Sequence, residues 1–157
     1  TFQVHKGLLT HHSPYFCASL KDFWAEGATN TVRLPTDNPK VFSAFFHWLY
    51  SHSGALYSGL TPEGKIPLEP AEICGIYVFG DTKVIPELCN AAIDLLFQKT
   101  FQNMAFLNAL TVAYIYDNTM EKAMIRKLIV DYATRSIDLR QLRGEKQWPH
   151  DFFVRRH

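Results

Sequence analysis

Asn38-Pro39-Lys40-Val41-Phe42-Ser43-Ala44-Phe45-Phe46-His47-Trp48-Leu49-Tyr50 is the stretch whose reading decides the fold. Asn38 is a residue type that caps helices. Pro39 suits the first helical position, where its missing N–H costs nothing. Behind them Val41, Phe42, Phe45, Phe46, Trp48 and Leu49 cover more than one face of a helix. The spacing predicts a helix from Lys40 to Tyr50, buried almost all round, as the centre of a helical core.

Working towards the N-terminus, Thr31-Val32-Arg33-Leu34 alternates and carries β-branched residues, so it reads as a strand. Glu26-Gly27-Ala28-Thr29-Asn30 reads as loop. Ser13-Pro14 repeats the cap-then-proline device and opens a helix that ends near Phe23. A short helix over His5 to Thr10 precedes it, with Leu8 and Leu9 inward. Phe2-Gln3-Val4 suits the tail of a strand.

Towards the C-terminus, Ser51 to Glu69 is rich in Ser, Gly and Pro and has no helical period. It reads as a long surface loop, with a short strand at Ala55-Leu56-Tyr57 as one option. Pro70 opens a helix to about Gly80, broken by Asp81-Thr82-Lys83. Pro86 opens the next, with Leu88, Ala92, Leu95 and Leu96 inward. A further helix is expected from about Asn103 to Tyr116. Asn118-Thr119-Met120-Glu121 matches a capping box for a helix carrying Met124, Ile125, Leu128, Ile129 and Tyr132. The last stretch, Leu139 to Arg156, is weaker, although Trp148, Phe152 and Phe153 must pack on something.

The fold class is therefore α+β and mostly helical: a helix cluster beside a small sheet. Composition agrees, since 47% apolar and 20% charged residues match a folded domain rather than a disordered chain. A net charge of +1 provides no global attraction to nucleic acid or to an anionic membrane. Charge is unevenly placed: residues 1–125 carry 8 basic and 11 acidic groups, residues 126–157 carry 8 and 4. The second set includes Arg135, Arg140, Arg143 and the Arg155-Arg156 pair. It reads as a solvated basic tail or as a match for an acidic partner. Cys17, Cys74 and Cys89 form an odd set without CxxC, as expected of reduced thiols in the cytoplasm or nucleus. The start at Thr1 rather than Met is expected of a piece of a longer chain.

Several patterns that carry chemistry elsewhere fail on inspection. Gly59-Leu60-Thr61-Pro62-Glu63-Gly64-Lys65 matches the spacing of a phosphate-binding loop. Ile66 follows where a hydroxyl should bind Mg²⁺, and Pro67 blocks an immediate helix. The seven histidines include no HExxH and no zinc-finger pairing with cysteine. Carboxylates are scattered singly, and Ser13 is better explained as a cap than as a nucleophile. No cofactor, metal or small-molecule substrate is expected, and an enzyme would require triads that only the fold could assemble.

An ordered series of short segments resembles the BTB/POZ family. Phe2-Gln3-Val4-His5-Lys6-Gly7-Leu8-Leu9 followed by Ser13-Pro14-Tyr15-Phe16 is similar to that family's opening. Trp24-Ala25-Glu26, Val32-Arg33-Leu34-Pro35 and Asp37-Asn38-Pro39-Lys40-Val41-Phe42 fit its next loop, strand and helix start. Trp48-Leu49-Tyr50 fits the end of that helix. Tyr77-Val78-Phe79-Gly80-Asp81 and Leu88-Cys89-Asn90-Ala91-Ala92-Ile93-Asp94 resemble its later helical pair. The resemblance implies a domain over residues 1–98, with 51–69 as an insertion. Residues 99–157 are more loosely similar to the helical extension of fungal members. The strands that usually precede the first phenylalanine in this family are absent, which implies weaker homodimerisation than in chains that have them.

The resemblance also implies a function. Members are non-enzymatic protein-interaction modules; some dimerise or scaffold, and some recruit a cullin as adaptors of ubiquitin ligases. The cullin-binding branch uses an apolar-x-Glu motif after the second helix, which Trp24-Ala25-Glu26 matches. Asp81 stands in the turn that faces the cullin in adaptor relatives. The expected partner-binding residues are thus Trp24, Glu26 and Asp81, with a cullin scaffold or self-association as the partnership. A competing reading places Trp24 in the hydrophobic core.

Overall fold

The structure, a computed structural model, describes residues 1–22, 24–105, 107–136 and 148–154. Nine helices run through them: α1 (Lys6–His12), α2 (Pro14–Ser19), α3 (Ala25–Thr29), α4 (Pro39–Tyr50), α5 (Pro70–Thr82), α6 (Pro86–Asn103), α7 (Ala109–Asn118), α8 (Met124–Ser136) and α9 (His150–Val154).

Prolines occupy the first turn of α2, α4, α5 and α6, where each is preorganised for a helix. Ser13 caps α2 by accepting from the Phe16 N–H at 3.2 Å, and Asn38 caps α4 by accepting from Lys40 at 2.9 Å. Ser13 does a second task. Its hydroxyl is buried and donates to the Lys83 carbonyl at 2.6 Å, joining the start of α2 to the α5–α6 turn.

An aromatic cluster forms the core. Phe45 is fully buried, with Phe79 at 5.1 Å, Phe42 at 5.5 Å, Trp48 at 6.1 Å and Phe16 at 6.4 Å between ring centroids. The helix surrounded on all sides is α5 rather than α4. Ile73 to Gly80 are eight consecutive buried residues, and α5 packs against α4, α6 and α7. By contrast, α4 keeps Lys40, Ser43 and Tyr50 exposed. Two glycines allow α5 this position. A Cβ at Gly75 would lie 2.9 Å from Val41 Cγ2, and one at Gly80 would lie 2.9 Å from Cys89 Sγ.

Several expectations are corrected. Among the described residues there is no strand, so the small sheet is absent: Thr31–Leu34 and Phe2–Val4 have no regular secondary structure. A strand requires a neighbouring backbone to pair with. Here the two segments both line a cavity of about 160 Å³ and exchange no hydrogen bond. Glu26 to Asn30, read as loop, instead lie in α3 and its C-terminal cap. Asp81 does not break α5, which continues through Thr82. α6 runs on to Asn103. α7 begins only at Ala109, capped by Asn108, whose side chain accepts from Thr111 at 2.8 Å. Asn118 does not cap α8. It closes α7, donating from its amide to Tyr114. The α7–α8 link is held instead by the buried Arg126, which donates to Tyr116 O at 2.7 Å and to both the carbonyl and the hydroxyl of Thr119.

The 51–69 segment has no strand at Ala55–Tyr57, yet it is not loose. Leu56 and Ile66 are buried, and the end of α6 clamps the segment. Lys99, itself buried, donates to Ile66 O at 2.7 Å and lies 3.7 Å from the Glu69 carboxylate. Gln102 accepts from Ile66 N–H and donates to Gly64 O. The Gly59–Lys65 match is a turn closed by Thr61 N–H on Lys65 O, and the next helix begins at Pro70. In the C-terminal region Phe152 is buried against Tyr116 and Trp148, as an apolar segment requires. Arg140, Arg143, Arg155 and Arg156 lie outside the described residues; Arg135 is exposed at the end of α8. No helix among the described residues is long and apolar enough to cross a membrane.

Candidate interaction surface

Trp24 stands at the N-cap of α3 in an extended conformation and is 55% exposed. Its placement comes from the backbone. The Trp24 N–H donates to Lys21 O at 3.0 Å, and the Trp24 carbonyl accepts from Ala28 N–H at 3.0 Å. Asn30 ends the helix in the left-handed region at φ 49°, a conformation that asparagine tolerates better than most residues. The Glu26 carbonyl accepts from Thr31 N–H at 3.1 Å, which turns the chain away from α3.

The residue that makes this geometry possible is Gly27, which the sequence reading leaves in a loop with no role. It is buried, and a Cβ there would fall 1.9 Å from the Lys21 carbonyl oxygen. Any side chain would push α3 off the preceding turn, carrying Trp24 with it. A single glycine inside a short polar stretch is no signal in sequence, because its need arises from one close backbone approach. Lys6 secures both ends of the same region. Its ammonium lies 3.8 Å from the Asp22 carboxylate and donates to the Asn30 side chain at 3.4 Å.

Glu26, two residues on, is exposed in the first turn of α3, where a carboxylate is favoured by the helix dipole. It makes no ion pair among the described residues. Trp24 and Glu26 thus share one short helix start, the aromatic largely in solvent and the carboxylate beside it in sequence.

Asp81 is exposed in the last turn of α5. It lines a cleft of about 260 Å³ with Ile85, Cys89 and Met124, bounded by α5, α6 and the start of α8. Burial, reinforced by the nearby Asp81 charge, pushes the Cys89 thiol up to about 12. The turn beyond Asp81 is tied to the start of α2 through Ser13 and Lys83, but no described contact joins Asp81 to Trp24 or Glu26. The structure therefore brings two of the three expected site residues together and leaves the third on a separate turn.

Residues 1–59 match the BTB/POZ domain family model. That segment belongs to the BTB/POZ family. BTB/POZ domains are protein–protein interaction modules and are generally non-enzymatic. The matched residues include α1 to α4 and both Trp24 and Glu26; Asp81 lies beyond them. Comparison with curated proteins yields no match. Comparison with solved structures likewise yields none.

Proposed function

We propose that this chain, through the BTB/POZ segment at its start, is an adaptor that docks a cullin scaffold of a ubiquitin ligase with Trp24 and Glu26, Asp81 contributing from the end of α5. The observation that carries the reading is the 55% exposure of Trp24 on a backbone-fixed helix start. A tryptophan in solvent loses contact with water on docking over a large area at little entropic cost, which is why this residue type is enriched among interface anchors. Glu26 fixes orientation at the rim, where a charge acts mainly on the association rate. In this reading the interaction domain runs through about residue 98, and residues 99–157 are an appended helical extension.

The test is capture of the full chain by an immobilised cullin, beside size-exclusion with light scattering. Trp24→Ala is expected to remove about 2 kcal/mol or more of binding, roughly thirtyfold in affinity. Glu26→Ala is expected to weaken it modestly. Undiminished capture by Trp24→Ala sinks the adaptor reading. A tight dimer with no cullin capture would favour self-association as the function.

A further inference from the structure

Phe97 and Phe101 lie one turn apart in the second half of α6, and Met104, its C-cap, stands three residues further along the same line. They are 55%, 69% and 82% exposed. Steps of four and then three residues keep positions on one face of a helix. Phe97 also lines a small apolar recess between α6 and α8, which the half-buried Leu128 and Tyr132 close from the other side. The result is a continuous apolar strip. Apolar residues scattered singly over a surface need no explanation, whereas a contiguous patch marks an interaction site.

Met104 holds its place against backbone preference. It ends α6 in the left-handed region at φ 47°. The short helix α3 ends in the same conformation with Asn30, a residue type that tolerates it. At the end of α6 the asparagine, Asn103, stands one position earlier, and a methionine takes the strained position. With 82% of its surface in solvent, that side chain contributes little to the core. Strained backbone of this kind persists where it serves a function.

Charge and area indicate what covers the strip. From Leu95 to Met104 the one charged residue is Lys99, which is buried and committed to Ile66 O and the Glu69 carboxylate. The exposed parts of Phe97, Phe101 and Met104 amount to roughly 400 Å² per copy. With Leu128, Tyr132 and the neutral Gln98 and Gln102 at the margins, two such strips face to face close about 1,000 Å² in all. That is the lower end for a specific interface, and it suits a dimer that exchanges with monomer.

We infer that this strip is a self-association face, on which α6 of one copy packs antiparallel against α6 of a second about a two-fold axis near Phe101. The 97–101–104 pattern reads almost the same in both directions. An antiparallel pair therefore sets Phe101 against the second copy's Phe101, and Phe97 against its Met104. A strip without charge favours this occupant. It presents no like-charge repulsion to its own copy and no charge for an acidic or basic partner to read. The face shares no residue with the Trp24 surface and stands or falls without a cullin.

The test is sedimentation equilibrium of the full chain from about 1 µM to about 500 µM. A monomer–dimer equilibrium with a micromolar dissociation constant is expected. Phe101→Glu, at an exposed position, should keep the wild-type melting curve and raise that constant about tenfold or more, because it sets two carboxylates face to face. Phe101→Lys should do the same. An equal mixture of the two variants should recover the dimer, as pairing of residue 101 with its own copy requires. Met104→Gly separates the interface from the fold. Glycine accepts the left-handed conformation, so this variant should melt at or above the wild-type temperature and still dimerise more weakly. A full chain that stays monomeric throughout, a dimer that survives Phe101→Glu, or no recovery in the mixture overturns the proposal. So does an undiminished dimer in Met104→Gly, or a dimer lost in Trp24→Ala.

Discussion

Trp24 and Trp48 are the same residue in two regions that look alike in sequence, each in a short aromatic motif ahead of a loop, yet one is 55% exposed and the other 7%. Trp48 sits in the last turns of α4, stacked at 6.1 Å on Phe45, edge-on at 5.1 Å to His12 and covered by Gly54. Trp24 caps a helix of five residues that approaches the preceding turn closely at Gly27. The difference teaches that a large aromatic is buried when its helix is long enough to aim it at a core, and displayed when it stands at the very start of a five-residue helix seated on the preceding turn. The first arrangement produces stability; the second leaves apolar area in solvent.

That comparison is open to attack from several directions. The largest effect is expected at the centre of the Trp48 region. Phe45→Asp would bury a carboxylate among aromatic rings with no partner, at a cost of several kcal/mol, and the helical circular-dichroism signal should be lost at room temperature. Native melting in that variant would show that α4 is not the core. Next, Trp48→Ala should cost about 3–5 kcal/mol in denaturant unfolding, as a buried aromatic truncation does.

Gly27→Ala links the two regions. The 1.9 Å approach to Lys21 O leaves no room for a methyl group. α3 must shift, at a cost of about 1–3 kcal/mol. The Trp24 fluorescence should change while the aromatic core stays intact. The thiols report on the same contrast without a large change in stability. Burial pushes Cys74 up to about 12, and Cys89 also lies at about 12, whereas Cys17 is exposed. A thiol-specific reagent at pH 8 should therefore label Cys17 first, with Cys74 and Cys89 slow until the fold opens. Because these folded values lie above the ordinary 9.0, the folded state holds protons that the unfolded chain releases. Stability should then be level below pH 9 and fall as pH rises towards 12, which urea titrations across that range would read. The smallest effect on stability is expected at Trp24 itself. Trp24→Ala should move the unfolding free energy by no more than about 0.5 kcal/mol. A loss like that of Trp48→Ala would erase the distinction between the two tryptophans.

The helical skeleton was legible wherever its signal is local. Ser13 and Asn38 accept from the first-turn amides as their positions imply, and the four proline-opened helices begin where the prolines stand. The errors arise where two local signals compete. Asn118 is as good an end for α7 as a start for α8; its amide donates to Tyr114 O, while Arg126 holds the Tyr116 and Thr119 carbonyls that follow. Thr31–Leu34 has strand composition, but β propensity expresses a fit to a pleated, half-buried surface, and no neighbouring strand provides one. Of the candidate site, the Trp24-x-Glu26 pattern stands in the sequence, while the close backbone approach at Gly27 that seats it does not show there.

By itself, the sequence determined a mostly helical chain with an aromatic centre, capped at Ser13 and Asn38, because caps and periodic apolar residues act within one or two turns. The tertiary structure alone decided that α5 and not α4 is enclosed, that Trp24 faces solvent while Trp48 does not, and that the 51–69 segment is tied to α6. Those outcomes rest on contacts between residues far apart in the chain, such as Ser13 with Lys83 and Lys99 with Ile66. A hydrogen bond of that kind leaves no trace in local composition, since either partner alone reads as an ordinary polar residue, and only chain closure brings them within reach.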